Sequence, residues 1–402
     1  MSKFKMSLPK DVSFILDRMS SCGYSAHVVG GSVRDSLIGR PLGDFDITTD
    51  ALPEETKEIF SDFRTIDTGI KHGTVTLVLS GTPYEITTYR VDGDYKDNRH
   101  PEKVLFTSSL KEDLARRDFT VNAMAYNPKE GLCDPFGGRE DAGRKIIRAV
   151  GDPYLRFGED ALRILRALRF ASVLGFEIEA LTASAARELR GNLSSISKER
   201  VYTEFKKLIM GKNALMVLDE YASVFDIALG GFEIRKLPEP HLFSGADYLT
   251  RLAALFLLNS PKPESMAERV LTELKTDKFT RTHTTSVLSA YDSISFGNQK
   301  AALIALAKFG KEVTDGALSL GILTGRFTDK EREVLALALE CGIPYRISGL
   351  DIRGTDLLAL GIKGERVGEA LNELLYAVID GRAENEKDAL VNIVRGNRFY
   401  LK

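Results

Sequence analysis

The stretch that most constrains the fold is residues 29–50, in which a glycine pair and an arginine precede two aspartates. Gly30 and Gly31 permit a tight turn because glycine adopts positive φ without a steric penalty. Backbone N–H groups exposed at such a turn bind phosphate, and Arg34 adds a fixed positive charge beside them. The pattern therefore predicts a strand, a turn and a short helix over residues 33–38 that together hold an anion.

The two aspartates follow in Asp44-Phe45-Asp46-Ile47, which we predict to be a strand. Side chains alternate between the faces of a strand, so Asp44 and Asp46 are expected on the same face, with Phe45 and Ile47 in the core. Two carboxylates placed in this way can share hard divalent cations. The arrangement is typical of a Mg²⁺-dependent phosphoryl-transfer site. A pair of this spacing is also common at surface turns, so the interpretation depends on its neighbours.

Two downstream segments supply further polar candidates. In the predicted strand 84–90, Glu85 is either a third carboxylate near the metals or an acid on the sheet surface. A predicted helix continues into residues 114–126, where adjacent arginines precede an aspartate and an asparagine. Guanidinium groups bind phosphate bidentately, so this segment is suited to a nucleoside triphosphate. Its candidate side chains are Arg117, Asp118 and Asn122.

A charged stripe follows on a helix predicted over residues 156–171. It consists of one aspartate and three arginines spaced every three residues: Asp160, Arg163, Arg166 and Arg169. Such a stripe is either a solvated face or a binding surface. A carboxylate accepts from the amino group of cytosine or adenine, and a guanidinium donates to the ring acceptor of either base. Uracil and guanine present O4 or O6 instead, so an aspartate and an arginine would reject them.

Three motifs together carry a family resemblance. They are G-G-x-V-R-D followed by G-D-x-D, the run R-R-D-F-T-V-N-A at residues 116–123, and E-D-x-x-R at residues 159–163. In these motifs the chain resembles the DNA polymerase β-like nucleotidyltransferases, in the branch of class II CCA-adding enzymes and bacterial poly(A) polymerases. The resemblance covers roughly residues 24–210. It implies an α+β fold with a mixed-sheet head (1–148) followed by an all-helical neck (149–213), body (214–310) and tail (311–402).

The resemblance also implies a reaction. The 3′ hydroxyl of tRNA would attack the α-phosphate of CTP or ATP and release pyrophosphate, with Mg²⁺ as cofactor. Asp44 and Asp46 would hold the metal, and Gly31, Arg34 and Arg117 would hold the triphosphate. By the same resemblance, Asp160 and Arg163 read the base, and Arg166 and Arg169 also contact the nucleotide. The body and tail would hold tRNA.

Alternatives stay open at this stage. The chain resembles equally an enzyme of a split pathway that adds only CC or only A, and a bacterial poly(A) polymerase shares the head. A poly(A) polymerase usually carries a strongly basic C-terminal extension, which this sequence does not show. A protein of another class, which binds RNA on an inactive head, would not need the aspartates. The polar segment 91–106 is either a passive surface loop or a mobile lever that repositions the base-reading pair. Family members that add only CC resemble this chain but lack such a loop, so by the resemblance its presence favours CCA or A addition over CC alone.

The amino-acid composition limits which partners the protein can bind and in which cellular compartment it is expected. The 402 residues carry a formal net charge of −2, so a nucleic-acid surface must be a local basic region. Three cysteines without metal-like spacing indicate a reducing compartment, and with no export leader the expected location is the cytoplasm. Spanning a membrane takes about 18 consecutive apolar residues, which the sequence lacks, so no membrane partner is expected. The sequence leaves the oligomeric state open.

Overall fold

The computed structural model describes residues 4–92 and 104–396, and it divides into two compact units, Met1–Glu233 and Ile234–Lys402. Each unit has its own set of packed elements. The division into head, neck, body and tail is finer than these two units and stays a prediction.

The head combines strands and short helices. Its helices are α1 (Lys10–Ser21), α2 (Gly31–Leu37), α3 (Pro53–Ile59), α4 (Leu110–Ala115) and α5 (Gly138–Arg144). Its strands are β1 (Ala26–Val29), β2 (Asp46–Thr49), β3 (Arg64–Gly69), β4 (Thr74–Leu79), β5 (Thr82–Thr88), β6 (Arg90–Asp92), β7 (Val104–Phe106), β8 (Ala125–Asn127), β9 (Gly131–Cys133) and β10 (Ile146–Ile147).

Seven of these strands form one mixed sheet in the order β3-β4-β5-β2-β1-β8-β9. β2 runs parallel to β5, and the other pairings within this sheet are antiparallel. The central strand is therefore β2, which carries Asp46 at its first position. This sheet, with helices in the same unit, confirms the predicted α+β class.

Helix α1 shows how the pattern of apolar residues builds the head. Val12, Ile15, Leu16 and Met19 recur at helical spacing and are all buried in the core beneath the sheet. Gly23 follows the helix with a φ of +86°, a conformation that glycine adopts readily, so the chain turns toward β1 there. The spacing of these four residues in the sequence predicts a helix here, and the structure confirms it.

The predicted strand from Asp44 is wrong at its start, because β2 begins only at Asp46. Asp46 pairs with Val29, and the residue after Val29 is Gly30, which already belongs to the turn into α2. The ladder with β1 therefore ends there, and Asp44 lies in the irregular segment before the strand. Strand alternation is thus no longer a reason to place Asp44 and Asp46 on the same face.

The segment predicted to be a lever lies largely outside the described residues, because residues 93–103 are not among them. At its two ends β6 and β7 pair as an antiparallel ribbon, with Arg90 opposite Phe106 and Val91 opposite Leu105. The ends of the segment therefore have regular structure that the sequence pattern did not predict.

After the head, the first unit continues with α6 (Pro153–Glu159), α7 (Leu162–Phe170), β11 (Glu177–Ile178), α8 (Ala180–Glu188), α9 (Lys198–Ile209), α10 (Ala214–Glu220) and α11 (Ala222–Ala228). The helix predicted over residues 156–171 is interrupted at Asp160, which has φ −141° and ψ 102°. Its carboxylate accepts a hydrogen bond from Leu162 N at 3.0 Å, and such competition for backbone donors ends one helix and starts the next. The neck, which was expected to be all-helical, also contains one short strand, since β11 pairs with β10.

In residues 234–396 the regular structure is helical. The elements are α12 (Pro240–Gly245), α13 (Tyr248–Asn259), α14 (Pro263–Glu273), α15 (Lys278–Tyr291), α16 (Gln299–Leu323), α17 (Asp329–Glu340), α18 (Gly354–Ala359), α19 (Arg366–Ile379) and α20 (Lys387–Gly396). The predicted body (214–310) begins with α10 and α11, which belong to the first unit. Across the described part of the chain, no helix is both long and apolar enough to span a bilayer.

Candidate active site

The glycine turn connects β1 to α2 as its sequence predicts. Gly30 has φ +77° and ψ −128°, a conformation that residues with a side chain rarely adopt. A Cβ built on Gly30 would lie 3.4 Å from Nη1 of Arg117, so the turn also lets this guanidinium approach the backbone. Ser32 in the first turn of α2 is buried, and its Oγ has no hydrogen-bond partner within residues 4–92 and 104–396. The sequence analysis did not identify Ser32.

Asp46 lies next to Glu85 across the central strand pair, because the parallel register of β2 and β5 places these two residues opposite each other. Asp46 is accessible to solvent at the start of β2, but the protein atoms around its carboxyl remove part of its solvation, and this partial desolvation raises its pKa. The charges of Glu85 and Asp44 raise it further, and only Arg117 opposes them. The protein therefore compensates the negative charge around Asp46 only in part, and this favours the binding of a cation there.

The donor set suits magnesium in its chemistry. Asp44, Asp46 and Glu85 offer only carboxylate oxygens, which are the ligands that Mg²⁺ prefers. Among the described residues, however, no three His, Cys, Asp or Glu side chains stand close enough together to form a complete ligand set. A metal at this site would therefore take further ligands from water or from substrate phosphates, as Mg²⁺ usually does.

Arg34 is buried and is fixed from two sides. Its Nε and Nη2 each donate to the carboxylate of Asp35 at 3.0 Å, and its Nη1 donates to Oδ1 of Asn122 at 2.5 Å. The guanidinium also lies over the ring of Phe170, 5.3 Å from the centroid. The structure thus brings together Arg34 and Asn122, which are separated by more than eighty residues in the sequence.

Arg117 has a guanidinium that is only partly satisfied. Its Nη2 donates to Asp113 at 3.2 Å, whereas its buried Nε finds no partner in the described parts of the chain. Burial lowers the pKa of Arg117, although Asp113 and Asp46 counteract this effect. A buried donor without an acceptor costs free energy, so this nitrogen has an unmet hydrogen-bonding requirement.

Asp118 joins the head to the neck. Its carboxylate accepts hydrogen bonds from Arg166 Nε at 2.8 Å and from Asn122 Nδ2 at 3.2 Å, and it caps the backbone N–H of Phe119. Burial alone would raise the pKa of Asp118, but Arg166 and Asn122 outweigh it and hold that pKa below its usual value. Its charge is thus compensated within the protein, and it serves as a bridge between elements.

The stripe of the neck is engaged in ion pairs, each with a different partner. Asp160 accepts from Arg200 Nη2 at 2.9 Å. Arg163 donates to Glu159 at 2.7 Å and to the carbonyl oxygens of Arg156 and Arg116 at 3.2 Å and 3.1 Å. Arg166 pairs with Asp118, and Arg169 pairs with Glu204 at 2.5 Å.

These partners show which residues the sequence analysis missed. Arg200 and Glu204 on α9 are the partners of Asp160 and Arg169, and the sequence analysis predicted no role for them. Each of them lies at least 35 positions from the residue it pairs with. Glu159 had a local signal, because it stands four residues before Arg163 on the neck.

Comparisons with known proteins agree with this geometry. The family described as Poly A polymerase head domain matches residues 26–148. The families described as Probable RNA and SrmB-binding site of polymerase A and as tRNA nucleotidyltransferase domain 2, putative, match residues 175–221 and 249–394.

Relatives extend over nearly the whole chain. The CCA-adding enzyme of Lactobacillus delbrueckii subsp. bulgaricus is 36% identical over 94% of this chain and 96% of its own length. That of Enterococcus faecalis is 35% identical over 97% and 96%. The crystal structure of the Bacillus stearothermophilus CCA-adding enzyme in complex with CTP is 33% identical, covers 97% of this chain and 99% of its own, and superposes with a TM-score of 0.82. The chain belongs to the CCA-adding enzymes, a family of nucleotidyltransferases.

Proposed function

We propose that this chain completes the 3′ end of tRNA by adding C, C and A from CTP and ATP, with release of pyrophosphate, and that one nucleotide site serves both substrates. The observation that carries the proposal is the arrangement at the central strand. Asp46 lies in register with Glu85 and within electrostatic range of Arg117, whose guanidinium borders the turn at Gly30. Anionic metal ligands and a partly unsatisfied arginine are thus combined at one place.

Asp44 and Asp46 would hold Mg²⁺ in this site, and Glu85, in register with Asp46, would add negative charge beside it. When bound, the metal lowers the pKa of the attacking hydroxyl and offsets charge on the phosphates. The raised pKa of Asp46 supports this assignment, because desolvation, and then repulsion from Glu85 and Asp44, disfavour its negative charge in the protein alone.

The triphosphate would lie on the glycine turn. The backbone N–H of Gly31 and the hydroxyl of Ser32 are donors at the start of α2, and the unpartnered Nε of Arg117 adds a charged donor. Arg34 would contribute positive charge while its bonds to Asp35 and Asn122 hold it in place. A rigid guanidinium loses little conformational entropy when a phosphate binds.

The base would be read by Asp160 and Arg163. A carboxylate that accepts from the exocyclic amino group and a guanidinium that donates to the ring acceptor fit both cytosine and adenine. Arg163 is buried and fixed by Glu159 and by two backbone carbonyls, so its orientation is set before a nucleotide arrives. Arg166 and Arg169 would add contacts to the nucleotide from the same helix.

We further propose that the body and tail hold the tRNA and that the protein works in the cytoplasm. The match of residues 249–394 to a tRNA nucleotidyltransferase domain supports the first point. Cys22, Cys133 and Cys341 are free thiols, which supports a reducing compartment.

An addition assay tests the proposal. Purified protein is incubated with tRNA ending at the discriminator base, at C or at CC, and with each of the four nucleoside triphosphates. We expect CTP to extend the first two substrates and ATP to extend the third, with no use of UTP or GTP. Addition of A alone or of C alone would assign a split-pathway enzyme, and long A tails would assign a poly(A) polymerase. Binding of tRNA without any addition would assign an RNA-binding protein.

A further inference from the structure

Asp113 on α4 is a fully buried carboxylate, with 0% of its surface exposed, and the addition reaction as described gives it no role. Burial alone would raise the pKa of Asp113, but Arg117 and Arg116 outweigh this effect and lower it, so the group is ionised at neutral pH. A buried charge must be paired to be tolerated. The partners of Asp113 therefore indicate what it does.

Two of these partners are the adjacent arginines that follow α4. Oδ1 accepts from Arg116 Nε at 3.0 Å and Nη2 at 2.7 Å, and Oδ2 accepts from Arg117 Nη2 at 3.2 Å. The arginines stand three and four residues after Asp113, so one turn of helix directs both side chains back toward it. A single carboxylate thus sets the orientation of both guanidinium groups.

The other partners lie on the central part of the sheet and at the ribbon. Thr48 lies on β2, two residues after Asp46, and its Oγ1 donates to Oδ2 of Asp113 at 3.2 Å. Arg90 lies on β6, and its backbone N–H donates to Oδ1 of Asp113 at 3.3 Å. Asp113 is therefore hydrogen-bonded to the strand that carries the proposed metal ligand. Because Asp113 also binds Arg117, the arginine proposed to contact the triphosphate is held in a fixed position relative to β2.

Arg116 extends the connection to the neck. Its carbonyl oxygen accepts from Nη2 of Arg163 at 3.1 Å, while its own side chain is held by Asp113. One chain of contacts thus runs from the buried carboxylate through Arg116 to the arginine proposed to read the base.

We propose that Asp113 is a positioning residue that aligns the triphosphate half and the base half of the nucleotide site, through Arg117 and through Arg116 with Arg163. It touches no substrate itself. The inference rests on the proposed function, because it concerns how that site is held together.

The test compares Asp113→Asn with a matched control, Asp141→Asn. Asp141 on α5 is also a buried carboxylate of the head; it accepts from Thr120 Oγ1 at 2.7 Å and pairs with Arg148 at 3.1 Å, outside the nucleotide site. Asp113→Asn removes the charge that pairs with Arg116 and Arg117, and Asp141→Asn removes the charge that pairs with Arg148. Three properties are measured for each: equilibrium binding of CTP and ATP, KM and kcat for addition to tRNA, and the ratio of UTP and GTP use to CTP and ATP use.

We expect Asp113→Asn to weaken CTP and ATP binding about tenfold, which corresponds to one misplaced charge-assisted hydrogen bond, and to raise KM and the use of UTP and GTP. Asp141→Asn should leave KM and base selectivity unchanged. A purely structural role would lower only the active fraction, so a fall in kcat with unchanged KM and selectivity in Asp113→Asn would overturn the proposal.

A milder variant covers the case in which Asp113→Asn does not fold. Thr48→Val removes one donor to Asp113 at nearly constant volume, and it should shift KM in the same direction by a smaller factor; an unchanged KM would overturn the proposal.

The activity of the wild-type protein distinguishes a failure of the proposed function from a failure of the positioning role. If it adds no nucleotide to tRNA, the proposed function fails; if it is active and Asp113→Asn behaves like Asp141→Asn, only the positioning role fails.

Discussion

Replacement of Asp46 by asparagine is expected to abolish nucleotide addition and at the same time to stabilise the metal-free protein. Asp46→Asn keeps the size of the side chain but removes a charge that Glu85 and Asp44 repel. Most substitutions in a folded protein destabilise it, so a gain in stability at an inactive site would be diagnostic.

The size of the gain follows from the register of β2 and β5. Neighbouring strands are about 5 Å apart, and two unit charges at that distance repel by about 0.8 kcal/mol in water and about 3 kcal/mol at an effective dielectric constant of about 20. The side chain of Asp46 remains open to solvent, so screening favours the lower figure. We therefore expect the free energy of unfolding to rise by roughly 0.5 to 1 kcal/mol at pH 7.

The effect has a defined pH dependence. The pKa of Asp46 is raised in the folded protein above its ordinary value of 3.8. The folded state therefore binds this proton more tightly than the unfolded state, and the stability it contributes is present at low pH and is lost as pH rises through the folded pKa. The advantage of Asp46→Asn should thus be present at pH 7 and disappear below pH 3.8.

The assay is urea unfolding in a metal chelator, followed by unfolding in increasing Mg²⁺ and by addition of nucleotides to tRNA. Mg²⁺ should stabilise the wild type but not the variant, and turnover should fall at least about 100-fold because a metal ligand is lost, with tRNA binding unchanged. Asp17→Asn is the control, since Asp17 is exposed on α1 and pairs only with Lys129 across the surface in the described structure. A less stable Asp46→Asn, or one that retains more than about a tenth of turnover, would refute the reasoning.

Three other predictions address the remaining parts of the site. Asp160→Ala and Arg163→Ala should raise UTP and GTP incorporation relative to CTP and ATP, since mismatched bases are rejected by leaving buried polar groups unpaired; equal loss with all four nucleotides would make the stripe structural. Shortening residues 93–103 should cripple A addition to tRNA ending in CC and leave C addition largely intact, and equal effects on both would exclude a lever. Gly30→Ala should lower the free energy of unfolding by about 1–3 kcal/mol in urea and raise KM for nucleotides, because a Cβ is strained at φ +77°; unchanged stability would contradict the conformation of the turn.

Local sequence patterns were sufficient to predict those elements whose structure depends on residues nearby in the sequence. The spacing of Val12, Ile15, Leu16 and Met19 predicts α1, and the glycine pair predicts the turn into α2. These elements need only a helical period and a residue that tolerates positive φ. The resemblance added the order of the parts, which the seven-stranded sheet and the helical remainder follow.

The ends of the strands and helices and the hydrogen-bond partners of the site residues could not be predicted from local patterns. The start of β2 depends on where β1 turns away, and the interruption at Asp160 depends on its side chain capturing a backbone donor. Asp113 looks in the sequence like an acid in the first turn of an exposed helix, and only the tertiary structure shows that it is buried among arginines. Ion pairs such as that of Arg200 with Asp160 cannot be predicted from sequence periodicity, because the two residues are far apart in the sequence.

Equilibrium binding to the wild-type protein shows whether a single site takes both CTP and ATP. Labelled CTP is titrated onto the protein in Mg²⁺ without tRNA, and the complex is then titrated with unlabelled ATP. We expect one CTP per chain and its complete displacement by ATP, since Asp160, Arg163 and Arg117 would contact either nucleotide. Two nucleotides bound per chain, or CTP that remains bound at saturating ATP, would contradict it.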